Sequence, residues 1–300
     1  MSFGFCLLLL SASNAFAQSS KPVVVTFKKR RPKVGDKKKR RSFTKVVMKS
    51  LDYGGGQLQP EGEETESIYF QNKETVTRMT EILARNDKHV TKIRVRCIKH
   101  NKTSVNETAK TERSPIAGKT MILDKKKKKT VVTDTKGKVV SAELKKLAIS
   151  KYSGDFYDFE ESFYKTLKNG QATIGEAIEV DAKLANELFR DDDNDGPSFK
   201  VTAMTMTLKA LEKDGLGRFE MIVVFERGKV DTEERKQDLT RLTLKGYVTV
   251  HVASCALKVI DLNGPVRFIS DDGTLNRGAL GTVGFKEEVT HTFVKPVPKK

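Results

Sequence analysis

The chain has 300 residues, with 56 Lys and Arg against 39 Asp and Glu, a formal net charge of +17, no Trp and 16 Phe. That length suits one large domain or two small ones. A hydrophobic share of 37% is enough for a core at this size, which excludes wholesale disorder. The cationic excess bears on solubility and on anionic partners rather than on fold.

The N-terminus predicts export. Phe3 to Leu10 is an apolar run, followed by small residues and Ala15-Phe16-Ala17, the pattern of a signal peptide over residues 1–17 cleaved before Gln18. The run is short of the roughly 20 apolar residues a spanning helix needs. Cys6 lacks the preceding Leu-x-x of a lipid-attachment site, so no lipid anchor is read. The expected location is therefore the periplasm or the extracellular space, with residues 18–300 forming a single β-rich domain.

Next comes "FKKRRPKVGDKKKRR", Phe27 to Arg41, two basic clusters around a single acid. An exported chain has no use for a nuclear address. Phe27 and Phe43 are the only aromatic residues nearby, too few for a base-stacking platform, which argues against nucleic acid. The stretch reads as two strands, "VVTFKK" and "RSFTKVVMKS", meeting at a turn over Pro32 to Asp36, with Lys and Arg on outward faces and sheet edges. "DYGGGQLQPEGEETE" is a loop without the Lys-Ser/Thr of a phosphate cradle. "HVTKIRVRCIKH" alternates strictly, with Ile93, Val95 and Cys97 on one face and Lys92, Arg94 and Arg96 on the other, a half-buried antiparallel strand. "HNKTSVNETAKTERSP" reads as a polar linker. "TMILDKKKKKTVVT" reads as one strand, turning at Asp134 to Gly137.

Helices concentrate in the middle third. A short one follows Ser141. The strongest runs from Asp155, a capping residue, to Lys168, with Phe156, Phe159, Phe163 and Leu167 at three- and four-residue steps and Asn169-Gly170 as its stop. A third follows Asp181. Val34-Gly35-Asp36 and Ile174-Gly175-Glu176 each precede a strand-like run, a three-residue echo too short to establish a repeat. "KVTAMTMTLKAL" alternates, placing Thr202 with Met204, Met206 and Leu208 and placing Val201 on the other face; Asp214-Gly215 then marks a hairpin. "LTRLTLKGYVTVHVAS" and "VGFKEEVTHTFVK" are further strands. Ten to twelve strands with a few central helices give an α+β, β-dominated fold.

Few residues offer chemistry. Asp191, Asp193, Asp195 and Gly196 begin like a calcium loop, but Thr202 stands where the bidentate Glu belongs, so no metal site is read. The four histidines have no ligand or catalytic spacing, and no nucleophile or nucleotide motif is present. The reading is therefore non-enzymatic, with no catalytic residues and no cofactor. Cys97 and Cys255 fit either a bridge, in an oxidising compartment, or two buried thiols.

"KVGDKKKR", "SPIAGKTMIL" followed by "VVTDTKGKVVSAEL", "TIGEAIEV", and "LTLKGYVTVHV" leading to "LKVIDLNG" give the chain a layout similar to that of uncharacterised exported proteins of the planctomycete type. Such chains resemble the periplasmic lipoprotein-carrier fold. That resemblance implies a strongly curved antiparallel half-barrel with helices on its concave face, and an apolar cavity for a lipid or acyl chain. The sheet halves would cover about 18–140 and 171–300, joined by the helical middle segment. "ASCALK" departs from the pattern, because a Gly-containing turn is expected there. Two functions follow. The first is a carrier of an apolar or lipid-like ligand, with Phe156, Phe159, Phe163 and Leu167 as the candidate apolar face. The second is an envelope protein that holds an anionic polymer or membrane surface through its basic face.

Overall fold

The computed structural model describes residues 22–53, 69–87, 89–105, 109–126, 129–157, 159–189, 199–231, 236–271 and 276–295. The signal sequence, the interior of the 52–66 loop and the Asp191 to Asp195 run lie outside the described residues.

Among the described residues, fourteen strands and three α-helices follow in order. The strands of the first part are β1 (Val24–Thr26), β2 (Lys37–Tyr53), β3 (Tyr69–Arg85), β4 (Val90–Val105), β5 (Ala109–Arg113), β6 (Thr120–Lys126) and β7 (Lys129–Thr133). The middle holds α1 (Ala142–Tyr152), a 3-10 turn at Ser153–Phe156, α2 (Phe159–Thr166), β8 (Gln171–Thr173), β9 (Ala177–Glu179) and α3 (Ala182–Leu188). Then come β10 (Lys200–Glu212), β11 (Leu216–Asp231), β12 (Lys236–His251), β13 (Leu257–Asp271) and β14 (Asn276–Thr292). Twelve strands form one antiparallel sheet in the order β7-β6-β4-β3-β2-β14-β13-β12-β11-β10-β9, with β5 also on β4, while β1 and β8 pair separately. The fold is β-dominated, with a large antiparallel sheet and few helices. Strands early in the sequence build one side of the sheet and late strands the other, joined where β2 meets β14.

Period-two alternation decides what the sheet buries. One face, called inner here, carries the helices and two apolar clusters. In the first, Ile93, Val95 and Cys97 of β4 and Met121 and Leu123 of β6 pack with Ala148 and Tyr152 of α1 and with Phe156. In the second, Met204, Met206, Phe219, Met221, Val248, Val250 and Leu262 pack with Phe163 and Leu167 beside α2 and with Ala185 of α3. Cys97 and Cys255 are free and buried, one in each cluster, so the two-thiol alternative holds.

Much of the local chemistry matches the sequence. The Ser141 hydroxyl accepts from the Leu144 amide at 3.3 Å at the start of α1, and the Asp181 carboxylate accepts from Lys183 and Leu184 at 2.9 and 3.3 Å at the start of α3. Asn169 and Gly170 take positive φ after α2. Asp214 and Gly215, both at positive φ, turn β10 into β11. Gly35 and Gly175 share φ values of 88° and 87°, and each amide reaches a neighbouring strand, at Ile82 and Leu208.

Several expectations are corrected. "TMILDKKKKKTVVT" is not one strand: β6 and β7 pair with each other, with Lys126 opposite Lys129 and both exposed. "HNKTSVNETAKTERSP" is no linker, because β4 runs on to Val105 and β5 pairs back onto it. A turn does lie within Pro32 to Asp36, where the Asp36 amide donates to the Lys33 carbonyl at 3.0 Å, but the strand before it is only the short β1, which pairs with β8 rather than with β2. Asp36 is buried there, with its carboxylate accepting from Arg30 at 2.6 Å, from the Lys33 amide at 2.7 Å and from the Val294 amide at 2.9 Å. In β10 a bulge between Val201 and Ala203 brings Val201 onto the buried face with Met204, Met206 and Leu208 and leaves Thr202 exposed. In "ASCALK" the residue at positive φ is Cys255 itself, at 54°, in the connection from β12 to β13.

Candidate functional site: the inner face of the sheet

Strand β2 crosses the gap between the two clusters, and its inner positions change chemistry along its length. Lys38 and Arg40 come first, then Ser42 and Thr44, then Val46 and Met48. The cationic end lies under the helices. Asp155, in the 3-10 turn, accepts from Arg78 Nε and Nη2 at 3.1 and 3.0 Å and from Thr80 Oγ1 at 2.6 Å, with Arg40 Nη1 at 3.6 Å. Arg40 Nη1 also donates to Glu287 of β14 at 3.2 Å. Glu160 of α2 accepts from Lys38 Nζ at 3.0 Å. Three cations thus face three carboxylates, and the network carries no net charge with which to hold an ionic ligand.

The electrostatics follow from burial and pairing. Burial raises the Asp155 carboxyl, but the charges of Arg78 and Arg40 and the hydrogen bonds from Arg78 and Thr80 outweigh it and hold the group well below the usual carboxylate range. His291 of β14 donates through Nε2 to the Leu257 carbonyl at 2.8 Å, leaving Nδ1 4.0 Å from Glu160 and without a hydrogen-bond partner. Burial, helped by the Lys38 charge and opposed by Glu160, pushes its pKa down to about 4. On β3 the Glu74 carboxyl is brought down to about 2, chiefly by its hydrogen bond from His100, with Lys151 adding to this against burial. A cavity of about 50 Å³ opens beside Arg40, lined by Tyr157, Phe159, Ser162, Glu187 and Leu188 among others. That is room for a few waters at most, where ligand pockets measure about 300–1,000 Å³.

The four residues of the expected apolar face do not share one helix. α2 begins only at Phe159, and Asp155, expected as its cap, is spent on Arg78 and Thr80. Phe156 therefore belongs to the first cluster, while Phe159, Phe163 and Leu167 belong to the second. Phe163 is fully buried, edge-on to Phe219 at 5.3 Å and stacked on Phe159 at 5.7 Å. Between α2 and the sheet, these rings fill the space.

Away from the helices the inner face stays apolar across β11 to β14 and the adjoining part of β2, and turns polar on β3 and β4, where Glu74, Asn72 and Ser104 continue it. Phe225, Leu242, Val266, Gly281 and Met48 lie side by side on β11, β12, β13, β14 and β2. Val283 and Val46 form the next pair toward the helices, with Phe285 beyond. Phe225, Leu242, Met48, Val46, Val283 and Phe285 are half-buried, leaving part of their surface open, although Phe189 after α3 meets Phe225 edge-on at 5.3 Å. Sequence reasoning missed this strip because it is assembled from five strands. The available signal was the even-numbered apolar pair Val46 and Met48 continuing the face that begins with Lys38 and Arg40.

Three glycines cross the same face on a diagonal: Gly246 opposite Leu262, Gly264 opposite Val283, and Gly281 opposite Met48. A Cβ on them would fall 1.9, 1.8 and 2.0 Å from the carbonyl oxygens of Asp261, Thr243 and Val47. No side chain is compatible with those approaches.

No family model matches the chain, and no curated protein matches it. A solved structure of lipovitellin, concerned with lipid–protein interactions, is similar at a TM-score of 0.41 and 9% identity over 90% of this chain. The match covers 27% of the lipovitellin chain, and at that score it assigns neither a fold nor a ligand.

Proposed function

We propose that the protein is an exported, non-catalytic carrier or binding module for an apolar, lipid-like ligand. The ligand lies along the inner face beyond α2 and α3, on Val46, Met48, Leu242, Val283 and Phe285. The observation that carries this reading is the continuation of apolar side chains past the helices as a half-buried strip on adjacent strands. A sheet surface covered by water alone carries polar residues, whereas the strip across β11 to β14 and β2 does not. The glycine diagonal supports the accompanying view that the sheet bends into a half-barrel, since aligned glycines are a usual means of curving strands. Phe159 and Phe163 of α2, with Leu167 just after it, form the closed end of the site, and the signal peptide of residues 1–17 delivers the chain to its compartment. The planctomycete-type layout and the single domain over 18–300 belong to the same proposal.

The test is native mass spectrometry of the protein purified from its host, together with titration of a fluorescent fatty acid. Bound lipid and saturable probe uptake are expected, with uptake reduced at least about tenfold in Val283→Glu at unchanged secondary structure. A wild-type protein that carries no lipid and binds no probe sinks the reading. N-terminal sequencing checks export: Gln18 is expected, and an intact Met1 would overturn that part alone.

A further inference from the structure

The face opposite the helices carries a different surface. On β2 its residues are Lys37, Lys39, Arg41, Phe43 and Lys45. In register across β2, β3 and β4, Lys39 stands beside Met79 and Arg96, Arg41 beside Thr77 and Lys99, and Lys45 beside Lys73. The bulge between Thr77 and Arg78 inserts Ile98 as an extra residue, so that both Ile98 and Lys99 are exposed while Cys97 and His100 are buried. The bulge thereby adds one apolar and one cationic side chain to the same face.

Two features of this patch point to a partner. The first is charge without compensation. No carboxylate among the described residues lies within 4.0 Å of Lys39, Arg41, Lys45, Lys73, Arg96 or Lys99. The nearby acids are otherwise engaged: Glu81 with Lys37 and Arg94 at 3.8 and 2.8 Å, and Glu288 with Lys286 at 3.3 Å. The second is large apolar side chains set among the cations, with Phe43 41% exposed, Met79 36% and Ile98 43%. A linear polyanion would be met by a stripe or a groove, and it would leave Met79 and Ile98 idle. A two-dimensional array of cations with apolar residues between them matches a layer of anionic headgroups, into which Phe43, Met79 and Ile98 can enter while Lys and Arg meet phosphates.

We infer that the outer face of β2, β3 and β4 is a docking surface for an anionic lipid bilayer. This surface is separate from the inner face and stands whether or not an apolar ligand binds there. Its electrostatic part weakens with salt, and its apolar part does not.

The test is co-sedimentation of the mature chain with vesicles of phosphatidylcholine alone and with about 30% phosphatidylglycerol added. Binding to the mixed vesicles is expected to be at least about tenfold tighter than to neutral ones. Arg41→Glu should remove most of that gain, and Phe43→Ser should reduce binding several-fold, including at high salt. Lys213→Glu, the same type of charge reversal at the exposed β10–β11 turn, should leave binding near wild type. Loss of binding with Lys213→Glu equal to that with Arg41→Glu would overturn the inference, since net charge and not the patch would then be responsible. So would binding to heparin without binding to the mixed vesicles, which would assign the face to a polymer. All variants stay folded if their far-ultraviolet circular dichroism matches wild type, and Phe43→Ser supplies a charge-neutral arm if Arg41→Glu does not fold.

Discussion

From Lys37 to Arg41 five basic residues follow one another, yet Lys38 and Arg40 lie beneath the helices among carboxylates while Lys37, Lys39 and Arg41 point to the other side. The strand's alternation separates them into two environments that differ in almost every electrostatic respect. Inside, a charge cannot be left alone, because the cost of removing it from water must be offset by a partner and by hydrogen bonds. Asp155, Glu160 and Glu287 supply these, from elements far away in the sequence. Outside, water and salt screen each cation, so Lys39 and Arg41 need no partner to persist. A run of like residues in a strand is two sets of residues interleaved, and its average character describes neither.

The contrast is easiest to break at Asp155. Asp155→Ala leaves Arg78 and Arg40 facing each other under the helices, and a loss of about 3–5 kcal/mol in urea unfolding is expected. A loss below about 1 kcal/mol would mean that water already reaches this network. Phe163→Ala measures the apolar counterpart beside it. As a fully buried ring between Phe219 and Phe159 it should also cost about 3–5 kcal/mol, and a much smaller loss would reveal empty space under α2.

Acid gives a graded version of the same comparison. With a folded pKa of about 4 against the ordinary imidazole value of 6.5, His291 takes up a proton more readily when unfolded, so its contribution to stability is present above pH 6.5 and fades as pH falls toward 4. Between pH 7 and 4.5 the wild type should lose about 2–3 kcal/mol more than His291→Gln. Glu74 follows at lower pH: its ionised form stabilises the fold above pH 4.5, and that contribution is lost as pH falls toward 2. Identical pH profiles for wild type and His291→Gln would show that the imidazole is already hydrated. The smallest effect belongs to the other face of β2, where Arg41→Ala should change stability by no more than about 0.5 kcal/mol.

The sequence showed whatever depends on neighbours along the chain. Alternation in "HVTKIRVRCIKH" placed Ile93, Val95 and Cys97 inward, and Asp214-Gly215 announced its hairpin. Ser141 and Asp181 announced their helices. What depends on distant partners was hidden. Nothing near Asp155 indicates that Arg78 would draw it away from capping a helix, and hence that Phe156 and Phe159 would part into different clusters. Nor could periodicity show that β6 ends at Lys126 and pairs with β7 from Lys129, because a homopolymeric run contains no register signal. The apolar strip was invisible for the same reason: its order, Phe225 to Met48, exists only once strands from both ends of the chain have paired.

The pairing of β2 with β14, from Lys37 opposite Thr292 to Tyr53 opposite Asn276, also has a kinetic consequence. β2 emerges early, and its partner is the last of the described strands. Until β14 arrives, one full edge of β2 is open, over a separation that makes this contact slow to form. An open edge is a template for pairing with another chain. The side chains along it include Lys37, Lys38, Lys39, Arg40, Arg41 and Lys45, and like charges repel a second copy brought alongside. In the finished fold some of these cations hold the helices and others face outward. During synthesis all of them serve as gatekeepers, guarding the seam of the sheet from the wrong strand until the right one is made.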